Sequence, residues 1–253
     1  METATFRFYA DLNDFLAPER RQVSFAYPVY DGDQSVKHLI EALGIPHTEV
    51  SLILVDGRAV GFNHIVQRDQ YISVYPPFTR LELASVFQLR PPLPEPIRFL
   101  LDNHLGRLAR YLRLLGFDTL YFRNQFDDEA LADLSHQTQR VLLTRDRGLL
   151  KRSQVIFGYC LRSVDPYEQL KSVILRFDLA QEIDSWKRCL RCNGILQPVD
   201  KKAIIDRLEP KTKRYFEAFW QCGECEQIYW RGSHFSKLQQ FIDDIQSEFH
   251  DST

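Results

Sequence analysis

Two Cys-x-x-Cys pairs near the carboxyl-terminal end restrict the folding of this chain more than any other feature. Cys189 pairs with Cys192 and Cys222 pairs with Cys225, and 29 residues separate the two pairs. This spacing is typical of a four-thiolate Zn²⁺ site, in which four sulfurs complete the coordination and leave no position for water. We therefore expect residues 179–253 to form a zinc ribbon with a carboxyl-terminal helix, and we expect the zinc to be structural.

Residues 97–178 alternate between strand-like and helix-like segments. Apolar runs such as IRFLLD and RVLLTRD are each followed by a segment with helical spacing of apolar residues. This order predicts an α/β domain of three layers, in which helices cover both faces of a parallel sheet. Ligands of such sheets bind at the carboxyl ends of the strands, so the residues that follow each strand are the candidates for chemistry.

Residues 1–80 have the pattern of a small mixed sheet. Two strand-like runs, TFRFYA and RRQVSFAY, precede a helix that stops at Gly44, and two further strands meet at the turn Asp56-Gly57. The run DQYISVYPPF adds a last strand, and the order predicts a β-grasp domain. Four prolines within six residues then mark a linker over residues 81–96.

The amino-terminal segment resembles the ubiquitin-like sulfur-carrier proteins in the sequences LILVDGRAVGF and DQYISVYPPF. Those carriers need a free carboxyl-terminal Gly-Gly, whereas here the last strand continues into TRLELASVFQL. The resemblance therefore implies a docking role and a protein partner for this domain, and no carrier chemistry.

Acidic residues follow every strand of the predicted parallel sheet: Asp102, Asp127, Asp128, Asp146 and Asp165. For Asp165, which precedes a proline, we favour a helix-capping role. For Asp127 and Asp128, capping and metal binding both stay open. Asp102 and Asp146 directly follow apolar strands, where a charge is costly unless a cation meets it. For these two we favour a role as ligands of Mg²⁺ or Mn²⁺, which prefer oxygen.

Arginines lie close to these acids in the sequence. Arg107, Arg110 and Arg113 recur every third residue along the first helix of the region, and Arg145 and Arg147 follow its third strand. Such residues can be merely solvated, or they can hold phosphate groups beside a metal site. The net charge of −2 excludes a globally basic nucleic-acid-binding protein but not a local basic face. We expect Arg107, Arg110, Arg145 and Arg147 to hold the phosphate groups of a nucleic-acid substrate.

Several stretches resemble the PIN-like ribonuclease domains of the Mut-seven C-terminal family. They are RFLLDNHLGRLARYLRLLGFDTLYF, the DDEAL turn and RVLLTRDRGLLKR, followed by RCLRCNGIL and FWQCGECEQIYWRGSHF. The resemblance implies a PIN-like RNase with a zinc ribbon and an amino-terminal ubiquitin-like domain. It places Asp102, Asp128 and Asp146 at the acidic metal positions, with Asp127 as their neighbour.

Together these observations predict a cytoplasmic, metal-dependent ribonuclease that acts on single-stranded or tRNA-like RNA. Its predicted catalytic residues are Asp102, Asp127, Asp128 and Asp146, and its predicted cofactors are structural Zn²⁺ and catalytic Mg²⁺ or Mn²⁺. No run of 18 apolar residues and no apolar leader is present, so we expect no membrane association.

Two other functions stay open at this point. The first is a non-catalytic RNA-binding protein built on a PIN-like fold and a zinc ribbon, and the second is an adaptor that acts through the ubiquitin-like domain. Trp220, Tyr229 and Trp230 lie beside the second cysteine pair and could stack on bases. We expect them instead to pack around the small core of the ribbon.

Overall fold

The computed structural model describes residues 2–30, 34–77 and 89–250. The predicted linker at residues 81–96 therefore lies outside the described residues over positions 81–88.

The chain divides into two compact units, each made of two segments. The first unit combines Met1–Pro96 with Gln125–Leu161, and the second combines Ile97–Asn124 with Arg162–Thr253. The first unit thus holds the predicted ubiquitin-like domain together with the central part of the predicted nuclease domain.

The amino-terminal region folds as the β-grasp pattern predicts. Its elements are β1 (Thr3–Phe8), β2 (Phe25–Pro28), α1 (Val36–Ala42), β3 (Leu52–Val55), β4 (Arg58–Ala59) and β5 (Tyr71–Tyr75). The strand order is β2-β1-β5-β3-β4, with β1 parallel to β5 and the other pairs antiparallel. Asp56 and Gly57 have φ angles of 48° and 79°, which suit the tight turn between β3 and β4.

Residues 97–178, the predicted nuclease region, follow the predicted alternation of strands and helices. Its elements are β6 (Phe99–Leu101), α2 (Gly106–Leu114), β7 (Thr119–Tyr121), α3 (Asp128–Thr138), β8 (Val141–Thr144), α4 (Arg147–Leu150), β9 (Gly158–Cys160) and α5 (Pro166–Phe177). The strands form one sheet in the order β7-β6-β8-β9, in which β6 is parallel to β7 and β8 is parallel to β9. Every residue of β6, β8 and β9 is buried, as expected for a parallel sheet covered on both faces.

The carboxyl-terminal region contains a small antiparallel sheet and a long final helix. Its elements are β10 (Leu196–Val199), α6 (Lys201–Ile204), α7 (Pro210–Tyr215), β11 (Phe219–Cys222), β12 (Ile228–Trp230) and α8 (Ser233–His250). The strand order is β10-β11-β12. The β-grasp sheet, the parallel sheet with its helices and this ribbon confirm the predicted fold class.

Within the first unit, the ubiquitin-like domain packs directly against residues 125–161. The Nε2 atom of His47 donates a hydrogen bond to the carbonyl of Val155 at 3.0 Å, and the amine of Lys151 donates to the carbonyl of Glu41. Thr48, which follows His47, is fully buried. The ubiquitin-like domain is therefore an integral part of this unit.

In the part of the chain that the structure describes, none of the helices combines the length and the apolar character that crossing a lipid bilayer requires.

Candidate functional site

The four paired cysteines come together in the second unit. The Sγ atoms of Cys189 and Cys225 lie 3.6 Å apart, those of Cys192 and Cys222 lie 3.4 Å apart, and all four lie within 4.8 Å of one another. Four thiolates around one Zn²⁺ at a bond length of about 2.3 Å would be separated by about 3.8 Å. The cysteines therefore form a group that can hold a metal ion such as zinc.

Tight turns bring the sulfurs of the two pairs together. In the first turn, Asn193 has a φ angle of 78°, and the backbone N–H of Gly194 points at the sulfur of Cys192 at 3.5 Å. A Cβ atom on Gly194 would lie 2.7 Å from the sulfur of Cys222, which is too close for any side chain. In the second turn, the backbone N–H of Glu224 points at the sulfur of Cys222 at 3.4 Å.

Burial and hydrogen bonds have opposite effects on the thiols. Burial alone would raise the pKa of Cys189, but hydrogen bonds from the Tyr229 hydroxyl and from the backbone amides of Cys192 and Arg191 lower it to about 7. Burial raises the pKa of Cys192 to about 12. A shared cation favours the thiolate form of every ligand, so metal binding would release protons from this group.

Two side chains whose structural role is not evident from the sequence fix the first turn to the part of the nuclease region that lies in the second unit. Asn193 accepts a hydrogen bond from the amide of Thr119 and donates one to Asp118, both at 2.9 Å. Arg113 is 4% exposed, and its guanidinium donates to the carbonyls of Thr119, Leu190 and Arg191. Burial lowers the pKa of Arg113.

The spacing of Arg107, Arg110 and Arg113 predicted that all three lie on one exposed face of α2, and for Arg113 that expectation is wrong. Its charge is directed at backbone carbonyls and is withdrawn from solvent. Arg107 and Arg110, on the same helix, are exposed. The three-residue spacing suggested one common surface, but the helix buries the third arginine against the ribbon.

The predicted catalytic acids of the first unit all lie at helix starts. Asp127 accepts a hydrogen bond from the amide of Ala130 at 2.9 Å, and Asp128 is the first residue of α3. Asp146 accepts hydrogen bonds from the amides of Gly148 and Leu149 at 2.6 and 3.4 Å. All three acids are exposed. The charge of Asp146 therefore carries no burial cost, contrary to expectation, because the chain reaches solvent directly after Thr144.

Two further acids belong to the second unit. Asp102 follows β6 and is half-buried, and its carboxylate accepts a hydrogen bond from the amide of Asn103. Asp165 caps α5 by accepting from the amides of Tyr167 and Glu168 at 2.9 and 3.0 Å, which confirms its predicted role.

Among the described residues, the four cysteines are the only group of three or more histidine, cysteine or acidic side chains close enough to share one ion. Asp127, Asp128 and Asp146, which lie in one unit, do not form such a group. Their assignment as metal ligands therefore stays a prediction.

The arginines after β8 differ in their surroundings. Arg145 is exposed. The guanidinium of Arg147 donates to the carbonyl of Phe15 at 3.2 Å and lies 4.9 Å from the centre of the Phe15 ring. Arg147, predicted to bind RNA, thus also contacts the ubiquitin-like domain.

The aromatic residues of the ribbon do not all pack in its core, contrary to expectation. The buried core consists of Ile204, Leu208, Phe219 and Ile228, with Val199 and Phe216 packed against it. Tyr229 packs on the first cysteine pair, where its hydroxyl lies 3.1 Å from the sulfur of Cys189. Trp220 and Trp230 instead line a cleft beside the ribbon.

Comparisons with known proteins show which families this chain is similar to. A family model described as the Mut7-C RNAse domain matches residues 97–242, and a model described as Mut7-C ubiquitin matches residues 1–82. The human protein called exonuclease mut-7 homolog is 35% identical over 109 residues, which make up 41% of this chain and 12% of that protein. This chain thus matches a small part of that relative. No solved structure matches.

Proposed function

Since the chain belongs to the Mut7-C RNAse domain family, and is thereby related to nucleases, we propose that it hydrolyses RNA phosphodiester bonds with the help of Mg²⁺ or Mn²⁺. The observation that carries the proposal is the family match over residues 97–242, which is more than half of the chain. The name of the human relative, an exonuclease, supports the same class of reaction.

The proposal assigns the metal to carboxylates that follow the strands of the parallel sheet, namely those of Asp102, Asp127, Asp128 and Asp146. Asp127 and Asp146 use one oxygen, Oδ1, to cap their helices. Their second oxygen makes no hydrogen bond to any described residue, so a capping carboxylate still has an oxygen to offer a cation. Bound Mg²⁺ or Mn²⁺ would supply an activated water and neutralise charge on the leaving oxygen.

The proposal assigns the phosphate groups of the RNA to Arg107, Arg110, Arg145 and Arg147. The exposed guanidinium groups of the first three are accessible to a ligand in solution. Arg147 is anchored at Phe15, and a fixed guanidinium would orient a phosphate with little further loss of conformational freedom.

The same proposal assigns structural Zn²⁺ to Cys189, Cys192, Cys222 and Cys225. Four sulfurs complete a tetrahedral coordination, so the ion would stabilise the ribbon and take no part in hydrolysis.

A non-catalytic RNA-binding protein is the second candidate function. It is favoured by the hydrogen bonds of Asp127 and Asp146, because helix capping alone accounts for both residues. An adaptor role for the ubiquitin-like domain is less well supported, since part of its surface is buried against residues 125–161.

The deciding experiment replaces Asp146 by asparagine in the full-length protein and measures the cleavage of single-stranded RNA with Mg²⁺ or Mn²⁺. Asparagine caps helices as well as aspartate does, so Asp146→Asn should fold normally. We expect the rate to fall roughly 100-fold or more, because ligation of the metal is weakened.

Asp165→Asn is the matched control, since Asp165 also caps a helix by accepting from two amides. It should cleave at the rate of the unmodified protein. Undiminished cleavage by Asp146→Asn would exclude the proposed role of this residue. Binding of RNA without any cleavage, at every metal concentration, would favour the second candidate.

A further inference from the structure

All three tryptophans of the chain line a single cleft in the second unit. Trp186, Trp220 and Trp230 surround a space of about 660 Å³, together with Phe235, Arg110 and Arg231. Small-molecule sites in proteins range from about 300 to 1,000 Å³, so this volume is sufficient for a ligand. We call this space the tryptophan cleft.

The first wall of the tryptophan cleft is held in a strained conformation. Trp186 has a φ angle of 67°, which is uncommon for a bulky residue. Its indole stacks on Phe235 with ring centres 4.4 Å apart, and its N–H donates to Gln239 at 3.0 Å. Such strain persists only where the surroundings enforce it, and it is concentrated at ligand sites.

The second wall of the tryptophan cleft is formed by Trp230, which belongs to the ribbon but lies outside its buried core. Trp230 is 36% exposed. A Cβ atom on Gly232 would lie 2.8 Å from the indole nitrogen of Trp230, so the glycine permits the ring to lie where it does. A large exposed aromatic ring with a close-fitting backbone support is suited to stacking on a planar ligand.

The charges around the tryptophan cleft favour an anionic ligand. Among the described residues that line it, Arg110, Lys187 and Arg231 are cationic, and Asp184 is the only one with a carboxylate. Lys187 pairs with Asp184 at 2.9 Å, which leaves the two arginines without a carboxylate partner among the described residues. The guanidinium carbon of Arg231 lies 5.7 Å from the ring centre of Trp220, so cation and aromatic face are side by side.

We propose that the tryptophan cleft binds an unpaired base of single-stranded RNA, with the indole rings stacked on the base and Arg110 and Arg231 on the flanking phosphates. Stacking platforms beside cationic side chains are the usual means of binding single strands, whose bases are free to turn outward. The inference rests on the proposed function and specifies how the substrate is held. It also gives Arg110 a defined position in RNA binding.

The chain provides its own probe for this binding, because its tryptophan emission comes entirely from the cleft. Full-length protein is titrated with a single-stranded RNA of about 12 nucleotides, and with the same RNA as a duplex. No divalent metal is added, so that binding is measured without cleavage. We expect the single strand to quench the emission and the duplex to bind more weakly.

Single substitutions identify the residues responsible for binding. Trp230→Ala should weaken binding of the single strand roughly tenfold, whereas Trp230→Phe, which keeps an aromatic ring, should bind nearly as well as the unmodified protein. Tyr215→Ala is the matched control, since Tyr215 is another exposed aromatic residue of the ribbon that does not line the cleft. Arg231→Ala should weaken binding and lessen its salt dependence.

Arg214→Ala is the control for Arg231→Ala, because Arg214 lies over the Tyr215 ring at 5.4 Å in the same manner. Zinc content and melting temperature are measured for every variant. Should Trp230→Ala lose zinc, the proposal is tested by whether Arg231→Ala binds the single strand more weakly than Arg214→Ala does. Unchanged binding by Arg231→Ala and by a folded Trp230→Ala would overturn the proposal.

The outcomes separate this inference from the proposed function. Normal RNA affinity in the cleft variants, with cleavage abolished by Asp146→Asn, would refute RNA binding by the tryptophan cleft and would support the proposed ribonuclease activity. The converse result is quenching of the tryptophan emission by RNA in a way that depends on Trp230 and Arg231, while no cleavage occurs at any metal concentration. This result would support RNA binding by the tryptophan cleft and refute the proposed ribonuclease activity. An emission that no oligonucleotide changes would overturn the cleft as an RNA site and favour a protein ligand.

Discussion

The carboxylate of Glu49 accepts a hydrogen bond from the backbone N–H of Cys160 at 2.6 Å. Glu49 lies in the ubiquitin-like domain and is fully buried, and Cys160 ends β9, the last strand in the order of the parallel sheet. An edge strand presents backbone groups that would otherwise pair with another chain. The ubiquitin-like domain therefore covers a strand edge of the nuclease region within the first unit.

We expect Glu49→Ala to lower the free energy of unfolding by about 2 kcal/mol, because it removes the acceptor of a buried amide. Urea denaturation of the full-length protein measures the change. Glu19→Ala, at an exposed position of the same domain, should have almost no effect. Equal stability of the two variants would show that the contact between Glu49 and β9 contributes nothing.

Gly194→Ala should weaken metal binding roughly 10- to 100-fold, the usual effect of disturbing the surroundings of metal ligands. The added Cβ would lie 2.7 Å from the sulfur of Cys222 and would displace it. Competition with a chromogenic chelator measures the affinity. Gly223→Ala is the control in the other turn, where a Cβ meets nothing within 4 Å. A Gly194→Ala protein that retains zinc as well as this control would contradict the proposed ligand geometry.

Cys222→Ser should reduce the zinc content from one ion per chain to none and should unfold the ribbon, whose core is too small to be stable alone. Metal analysis after dialysis gives the content, and tryptophan emission reports on the ribbon. Cys160→Ala should retain the ion, because Cys160 lies in β9 and outside the cysteine group. Zinc loss from both variants would point to general unfolding.

Arg113→Met should reduce stability by about 2 to 3 kcal/mol, since it leaves the carbonyls of Thr119, Leu190 and Arg191 without the donor that Arg113 provides. Arg107→Ala should leave stability unchanged and should weaken RNA binding, because Arg107 is an exposed residue of the same helix. Thermal unfolding and RNA titration, performed on both variants, test the contrast. Identical behaviour of the two would contradict the distinction between a structural and a ligand-binding arginine.

The sequence was sufficient for the order of the elements and for the metal group. Apolar periodicity follows directly from which face of a strand or helix is buried, so β6 to β9 and their helices could be predicted from local patterns. The spacing of Cys189, Cys192, Cys222 and Cys225 is equally local, because each pair lies in one tight turn. Asp165 could be predicted as a cap, since capping involves only the next three residues.

The roles that depend on residues distant in the sequence were decided by the tertiary structure alone. Arg113 belongs by spacing with Arg107 and Arg110, yet it is buried because Leu190 and Arg191 provide carbonyls from another part of the chain. Glu49 has no local feature that predicts its partner, which is 111 residues away. A pattern of residues fixes which face of an element is apolar, whereas the free energy of a buried charge depends on the groups that the fold brings to it.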